Sequence, residues 1–280
     1  MKKRCIKITE SYAIKTKELT KRFGKLNAVN NLNLSIPYGK TYGLLGPNGA
    51  GKTTTVRMLN AIINKTSGRA MVGGYDITLQ SNNVKQICGF LPESPGLYSK
   101  LTAREFLEFI GELYSMPKEI LGARISELIE LFGLEGREND LLESYSRGMK
   151  QKVCLCSALI QDPEIIFLDE PTSNLDPAVA RMVKDLLAVL VQNADKTIFI
   201  CTHLLDVAEE LCDTIGIIVN GELKIEGSPR EIIESVGAIN LEDAYLKVTG
   251  ADHVEDLLEW RNASNQEING RSEKVNRKKK

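Results

Sequence analysis

No run of this sequence is long and apolar enough to cross a bilayer. The uninterrupted apolar pieces, such as Ile165 to Leu168 and Ile215 to Val219, fall far short of the roughly 18 residues a spanning helix needs. Charge of one sign is scarce as well. Lys and Arg total 36 against 37 Asp and Glu, a balance of -1, so nothing points to a chain that wraps nucleic acid by releasing counterions, and no nucleic-acid partner is expected. Paired CxxC spacing is missing. Cys5, Cys88, Cys154, Cys156, Cys201 and Cys212 lie among apolar neighbours, which suits small buried residues in a reducing compartment. Cys154 and Cys156 invite a metal or redox reading, but they fall on a predicted helix, where i and i+2 share no face. The start, Met1-Lys2-Lys3-Arg4-Cys5, is basic but runs into Lys7, Thr9, Glu10 and Ser11, so no secretory signal is expected and the protein should stay where it is made. Asn262-Ala263-Ser264 is then a chance sequon.

What is present is ordinary globular composition, 42% apolar and 26% charged over 280 residues, enough for a sizeable core. Period-two patterning predicts strands at Tyr12 to Leu19 and Val29 to Ile36, with a turn at Pro37-Tyr38-Gly39. The Thr41 to Leu45 run leads through glycine-rich sequence into a helix from about Lys52 to Ile63. Further strands are predicted at Ala70 to Val72, Ile87 to Leu91, Ile165 to Leu168, Thr197 to Cys201, Thr214 to Val219 and Leu223 to Glu226. Those after residue 160 are expected to alternate with helices in a parallel sheet. A helical stretch fills about Thr102 to Ile160, opened by the capping box Thr102-x-x-Glu105, with Gly133 closing its second helix. Asp176-Pro177 and Ser228-Pro229 each place an N-cap before a proline and mark helix starts. No internal repeat is visible. Beyond Gly250, a short amphipathic helix from Val254 to Trp260 is expected to run into a polar tail ending Lys278-Lys279-Lys280 that cannot build a packed core.

Two motifs carry chemistry. Gly46-Pro47-Asn48-Gly49-Ala50-Gly51-Lys52-Thr53 fits the G-x-x-x-x-G-K-T phosphate loop, and it lies between an apolar strand and a helix start, as the mechanism requires. Glycines let the backbone wrap closely and point N–H groups at phosphates, while the helix N-terminus adds partial positive charge. Gly46 to Thr54 form the expected cradle, Lys52 would bridge the β- and γ-phosphates, and the Thr53 hydroxyl would bind Mg²⁺. Ile165 to Glu170 is an apolar strand ending in two acids, which places both carboxylates at the carboxyl end of a sheet. Asp169 can hold Mg²⁺ and Glu170 can polarise the attacking water as general base.

Ser144-Tyr145-Ser146-Arg147-Gly148-Met149-Lys150-Gln151 precedes a helix, and with it the sequence resembles the ATP-binding-cassette (ABC) family, whose signature has the pattern L-S-G-G-Q. Ser146 and Gly148 match; Tyr145, Arg147 and Met149 do not. The resemblance spans residues 10 to 250. It implies that Ser146, Gly148 and the helix start contact the γ-phosphate held by an opposite subunit. Phe23 resembles the aromatic that stacks on adenine, with a core or turn phenylalanine as the competing reading. Glu93 stands where the family usually has a glutamine that touches Mg²⁺. Ser173-Asn174-Leu175-Asp176 resembles the loop joining two sites across a dimer, and His203 resembles the histidine that senses the γ-phosphate. His253, the one other histidine, reads as surface.

The resemblance implies an α/β P-loop ATPase core with an antiparallel β subdomain and an inserted helical subdomain at about 92 to 160. It also implies a cassette over 10 to 250 and a C-terminal helix and polar tail over 251 to 280. ATP and Mg²⁺ are the implied cofactors. A homodimer or paired cassette and an integral-membrane permease are the implied partners, with the protein cytoplasmic and peripheral on the inner face of the cell membrane. Leu241 to Gly250 and the signature look like the separately encoded cassettes of prokaryotic exporters for drugs, lipids or polysaccharides. A soluble cassette ATPase acting on DNA or ribosomes is the rival. It would call for a coiled-coil insertion or two cassettes in one chain, and neither is visible. A different P-loop enzyme, such as a GTPase or small-molecule kinase, is a further rival, but Asn64-Lys65-Thr66-Ser67 only half matches a guanine-reading N-K-x-D, and the signature and His203 would be unexplained.

Overall fold

The structure, a computed structural model, describes residues 12–94, 96–172, 175–194 and 196–250. The expected helix at Val254 to Trp260, the tail, His253, Ser173 and Asn174 lie outside these described residues. Alternating burial along β1 (Tyr12–Phe23) carries the strand past Leu19 through irregular pairing near Lys17 to Thr20. The expected single strand at Val29 to Ile36 is instead two, β2 (Leu26–Leu32) and β3 (Ser35–Pro37), which pair with opposite halves of β1. The break traces to one side chain. The buried Thr16 hydroxyl donates to the Leu32 carbonyl and accepts the Leu34 N–H, both at 2.8 Å, beside the backbone bond from Thr16 N–H to the Leu34 carbonyl at 2.9 Å.

β4 (Thr41–Leu45) is wholly buried and delivers the chain to α1 (Lys52–Leu59). That helix stops short of the expected Ile63. The Asn60 carboxamide donates to the Val56 carbonyl at 3.0 Å, and Ala61 adopts a φ of 53°. β5 (Ser67–Val72) and β6 (Tyr75–Asp76) complete an antiparallel sheet with β1 to β3. After α2 (Ser81–Ile87) and β7 (Cys88–Leu91) the chain turns helical in α3 (Ala103–Leu113), α4 (Lys118–Leu131) and α5 (Arg147–Leu159). The capping box at Thr102 forms as expected, with both reciprocal bonds present. Gly133, at φ 59°, ends α4 while Leu134 N–H reaches the Ile129 carbonyl at 2.9 Å, the geometry of a glycine C-cap.

β8 (Ile165–Asp169), α6 (Pro177–Ala194), β9 (Thr197–Thr202), α7 (Leu205–Leu211) and β10 (Thr214–Val219) follow. β11 (Glu222–Gly227), α8 (Pro229–Ser235) and α9 (Leu241–Thr249) end the described chain. The second sheet runs β11-β10-β4-β9-β8-β7. Every pairing from β10 to β7 is parallel, but β10 and β11 are antiparallel. Strand and helix therefore do not alternate there as expected. Asn220 and Gly221, at φ 51° and 81°, form a tight two-residue hairpin turn that leaves no room for a crossover helix.

Residues of β8 and β9 alternate between two cores. Ile166, Leu168, Ile198 and Ile200 pack with Leu107, Ile125, Leu128 and Val153 of the helical layer. Phe167 and Phe199 face Ile14, Val29, Leu44 and Met58 on the other side. Two-sided burial explains why these strands read as continuous apolar runs.

Where α5 closes on β7 the backbones nearly touch. A Cβ built at Gly89 would lie 2.1 Å from the Ala158 carbonyl oxygen and 2.9 Å from Pro163 Cγ. Gly89→Ala is expected to destabilise the fold by about 1–3 kcal/mol or more. Chemical denaturation should show a lower midpoint at an unchanged slope.

Candidate nucleotide site

Parallel pairing of β4, β9, β8 and β7 brings their carboxyl ends side by side, and each end carries a candidate residue. The loop after β4 is shaped by close approach. A Cβ at Gly46 would lie 2.2 Å from the Ile218 carbonyl oxygen, and one at Gly51, already at φ 108°, would lie 2.2 Å from that of Ala28. Both positions therefore demand glycine. Gly221 N–H donates to the Ala50 carbonyl at 2.9 Å and tethers the loop to the β10–β11 turn. Lys52 is buried and curls back, its Nζ donating to the carbonyls of Gly46 at 2.6 Å and Pro47 at 3.2 Å. The ammonium thus sits inside the loop it follows.

A cavity of about 340 Å³ opens above this loop, lined by Asn48 to Thr54, Ala28, Glu93, Asp169 and Glu170. Asp169 is 2% exposed. The Thr53 hydroxyl hydrogen-bonds its carboxylate, yet Asp169 Oδ2 is buried with no hydrogen-bond partner. Burial above all, then the neighbouring Glu93 and Glu170, raise the Asp169 carboxyl above its ordinary value, against the opposing pull of Thr53 and Lys52. An orphaned carboxylate oxygen beside a threonine hydroxyl and a second carboxylate is an all-oxygen donor set that fits a hard divalent cation. Among the described residues no three acidic, histidine or cysteine side chains converge to hold a metal unaided. Such an ion would therefore take its remaining ligands from water and phosphate, as Mg²⁺ does in nucleotide sites.

Glu170 follows the strand in the left-handed region, at φ 54°. Its N–H donates to the Cys201 carbonyl at 2.8 Å, its Oε2 accepts from the Thr202 hydroxyl at 3.1 Å, and its Oε1 lies 2.8 Å from His203 Nδ1. The His203 side chain is 50% exposed.

The remaining candidates lie elsewhere. Phe23 is 50% exposed at the end of β1, with the Lys21 ammonium 4.8 Å from its ring centroid, and it does not line the cavity. Ser146 caps α5 by accepting the Met149 N–H at 3.2 Å. Gly148 lies in the first turn of α5, where a Cβ would meet only Asp176 Oδ2 and Val179 Cγ2, each at 3.7 Å. Neither lines the cavity of its own chain. Tyr145, which departs from the signature pattern, is buried and donates to the Arg137 carbonyl at 2.6 Å. Asp176 caps α6 through the Ala178 and Val179 N–H groups. Cys154 and Cys156 are both buried and unpaired, and burial pushes the Cys154 thiol up to about 12, which removes the metal or redox reading.

Sequence reasoning passed over Thr202 and gave Gln151 no role. Gln151 is buried and its Nε2 donates to the Pro171 carbonyl at 3.2 Å, tying α5 to the chain after Glu170. The available signal was a polar residue ending an apolar strand, in Thr197 to Thr202, just before a histidine.

A carboxyl whose folded value is raised holds its proton more tightly folded than unfolded. Its contribution to stability therefore falls as pH rises through the folded value, above the ordinary carboxylate range near ~4. Asp169→Asn is expected to raise the unfolding temperature of nucleotide-free protein at neutral pH by a few degrees. The gain should shrink on acidification, as a thermal melt series across pH would show.

A family model described as ABC transporter matches residues 29–173, just over half of the chain. An uncharacterized ABC transporter ATP-binding protein of Nostoc is 41% identical over 75% of this chain and 63% of its own length. Another from Synechocystis is 40% identical over 75% of this chain and 59% of its own length. This chain thus spans less than two thirds of either relative. The bacitracin transport ATP-binding protein BcrA of Bacillus licheniformis is 39% identical over 76% of this chain and 69% of its own length. Among solved structures, an ATP-binding subunit of an ABC transporter superposes with a TM-score of 0.78 at 27% identity, covering 84% of this chain and 99% of that one. A dimeric ATP-binding cassette in a post-hydrolysis state, bound to ADP and Pi, gives a TM-score of 0.71 at 27% identity, covering 77% and 98%. The fold is that of a P-loop ABC ATPase, and the chain belongs to the ABC transporter family.

Proposed function

We propose that this chain is the ATP-binding and ATP-hydrolysing subunit of a membrane exporter, acting as one of a pair of cassettes. The observation that carries the reading is the Glu170 carboxylate, held on the cavity wall beside Asp169 and above the phosphate loop. A carboxylate so placed can take the proton of a water whose oxygen bonds to the γ-phosphorus as the bond to the bridging oxygen of ADP breaks.

The other residues take the following parts. Gly46 to Thr54 cradle the phosphates, and Lys52 leaves its loop carbonyls for the β- and γ-phosphate oxygens. Thr53, Asp169 and Glu93 are the residues that would hold Mg²⁺, whose charge would offset that of the phosphates. Phe23 stacks on adenine with the ring face not covered by Lys21. His203 senses the γ-phosphate. Residues 10–250 form the cassette, with a helical subdomain at about 92–160.

Ser146 and Gly148 serve the partner's nucleotide. Ser146 is exposed, a Cβ at Gly148 would meet its neighbours only at ordinary contact distance, and both residues stand apart from the cavity of their own chain. The dimeric arrangement of a similar cassette bound to ADP and Pi supports pairing. A transport role beside a permease partner draws support from the bacitracin transport relative; export and a position on the cytoplasmic face of the membrane complete the reading. Among the described residues no helix is long and apolar enough to cross the membrane.

Glu170→Gln should keep nucleotide binding, lose hydrolysis by about 10²- to 10⁴-fold and accumulate an ATP-bound dimer; normal turnover would remove Glu170 from the mechanism. The shared-site geometry has its own test. Lys52→Ala and Gly148→Asp should each abolish hydrolysis, the second by setting a carboxylate against phosphate. Mixed dimers collect both defects in one site and neither in the other, so combining the two dead variants should restore some activity. Folded, exchanging dimers with no recovery at any ratio would sink independent trans-completed sites.

A further inference from the structure

The grip on Glu170 is uneven. Among the groups that hold it, three come from consecutive residues, the Cys201 carbonyl, the Thr202 hydroxyl and the His203 ring. Of these, the Thr202 hydroxyl and the imidazole touch the carboxylate; the imidazole sits on a half-exposed side chain after the strand, whereas Thr202 is 0% exposed in the strand itself. Thr202 Oγ1 also accepts the Leu204 N–H at 3.0 Å. A hydroxyl has one proton to give. With the Leu204 N–H pointing in, that proton is directed at Glu170 Oε2, and an ionised carboxylate can only accept it. The threonine is β-branched and restricted at χ1, and its strand is paired on both sides, Thr202 itself lying opposite Leu45. Glu170, by contrast, follows its strand in a backbone region that non-glycine residues seldom adopt. Its side chain is therefore positioned by what it touches more than by its own local preference.

We infer that Thr202 is a positioning residue for hydrolysis: its buried hydroxyl locks Oε2 of Glu170, fixing the rotamer that leaves Oε1 to face the attacking water and His203. The inference rests on the reading of Glu170 as general base. It also gives the strand a reason to end in threonine. Serine preserves both hydrogen bonds, and valine preserves the shape while losing both. Thr202 touches no nucleotide-cradling residue through the bonds described, so its loss should act on kcat and leave binding alone.

The test measures ATPase kcat and KM, affinity for a fluorescent ATP analogue and thermal unfolding for Thr202→Val, Thr202→Ser and Glu170→Gln, plus the Thr202→Val/Glu170→Gln double variant. Thr202→Val should lose about 10- to 100-fold in kcat, the scale of a small misplacement of a reacting group, with KM and analogue affinity unchanged. Thr202→Ser should recover most of that loss. In the Glu170→Gln background the valine should cost nothing further, because the group it positions is already disabled. Wild-type kcat in Thr202→Val overturns the inference, as does an undiminished loss in the double variant or a serine no better than valine. If valine weakens the fold, the serine comparison and the double variant still decide, since a structural defect would lower Glu170→Gln activity as well. Retained turnover in Glu170→Gln would instead overturn the general-base reading and the inference with it. Loss there with none in Thr202→Val would overturn the inference alone.

Discussion

The parallel ladder of β4, β9 and β8 is the constraint on which the site depends. Leu45 lies opposite Thr202, and Asp169 opposite Cys201, so the last residues of three strands end at one level. A slip of one residue would exchange the faces of every side chain. It would turn Phe167 and Phe199 toward the helical layer and separate Glu170 from Thr202. Burial on both faces opposes that slip, because each strand would have to exchange two sets of core contacts at once. The same ladder supplies the Cys201 carbonyl that receives Glu170 N–H and so sustains the unusual backbone at that residue.

Within this frame the site keeps its charges in an uncompleted state. Lys52 is satisfied by its own loop carbonyls, a neutral and reversible set of partners that an anionic oxygen can outcompete. Asp169 retains an oxygen with no partner in a buried position, an arrangement that disfavours the isolated protein and favours whatever supplies a cation. Stability forgone at Asp169 and backbone strain at Glu170 are both concentrated at the cavity, as expected where function rather than packing selects the residue.

Specific contacts lead away from the cavity. Gln151 links the signature helix to Pro171 directly after Glu170. Lys184 on α6 reaches Asp206 and Glu210 of α7, each at 2.9 Å, and Arg181 adds a bond to Glu210 at 3.0 Å. α6 begins at Asp176 and α7 just after His203, so two segments that leave the nucleotide site are clamped to each other. Rearrangement of either is thereby felt by its neighbour, which is the kind of packed, discrete contact through which a local change is passed on.

The features legible in the amino-acid order alone are those whose physics is local. The phosphate loop, the Asp169-Glu170 pair after an apolar strand, the capping box at Thr102, the glycine stop at Gly133 and the proline-marked starts at Asp176 and Ser228 all rest on interactions within a few residues. β4 and β10 were readable to the residue because two-sided burial makes a continuous apolar run. What tertiary structure decided spans long separations. Thr16 splits β2 from β3 by bonding residues 16 and 18 positions away. Thr202 meets Glu170 across 32 positions, and Gly89 is required because Ala158 passes over it. The antiparallel turn of β11 and the separation of Ser146 from the cavity of its own chain belong to the same class. Pattern and propensity describe each segment's own preferences. Which hydroxyl meets which carboxylate depends on where the chain returns, and that is set by how the sheet and the two cores pack.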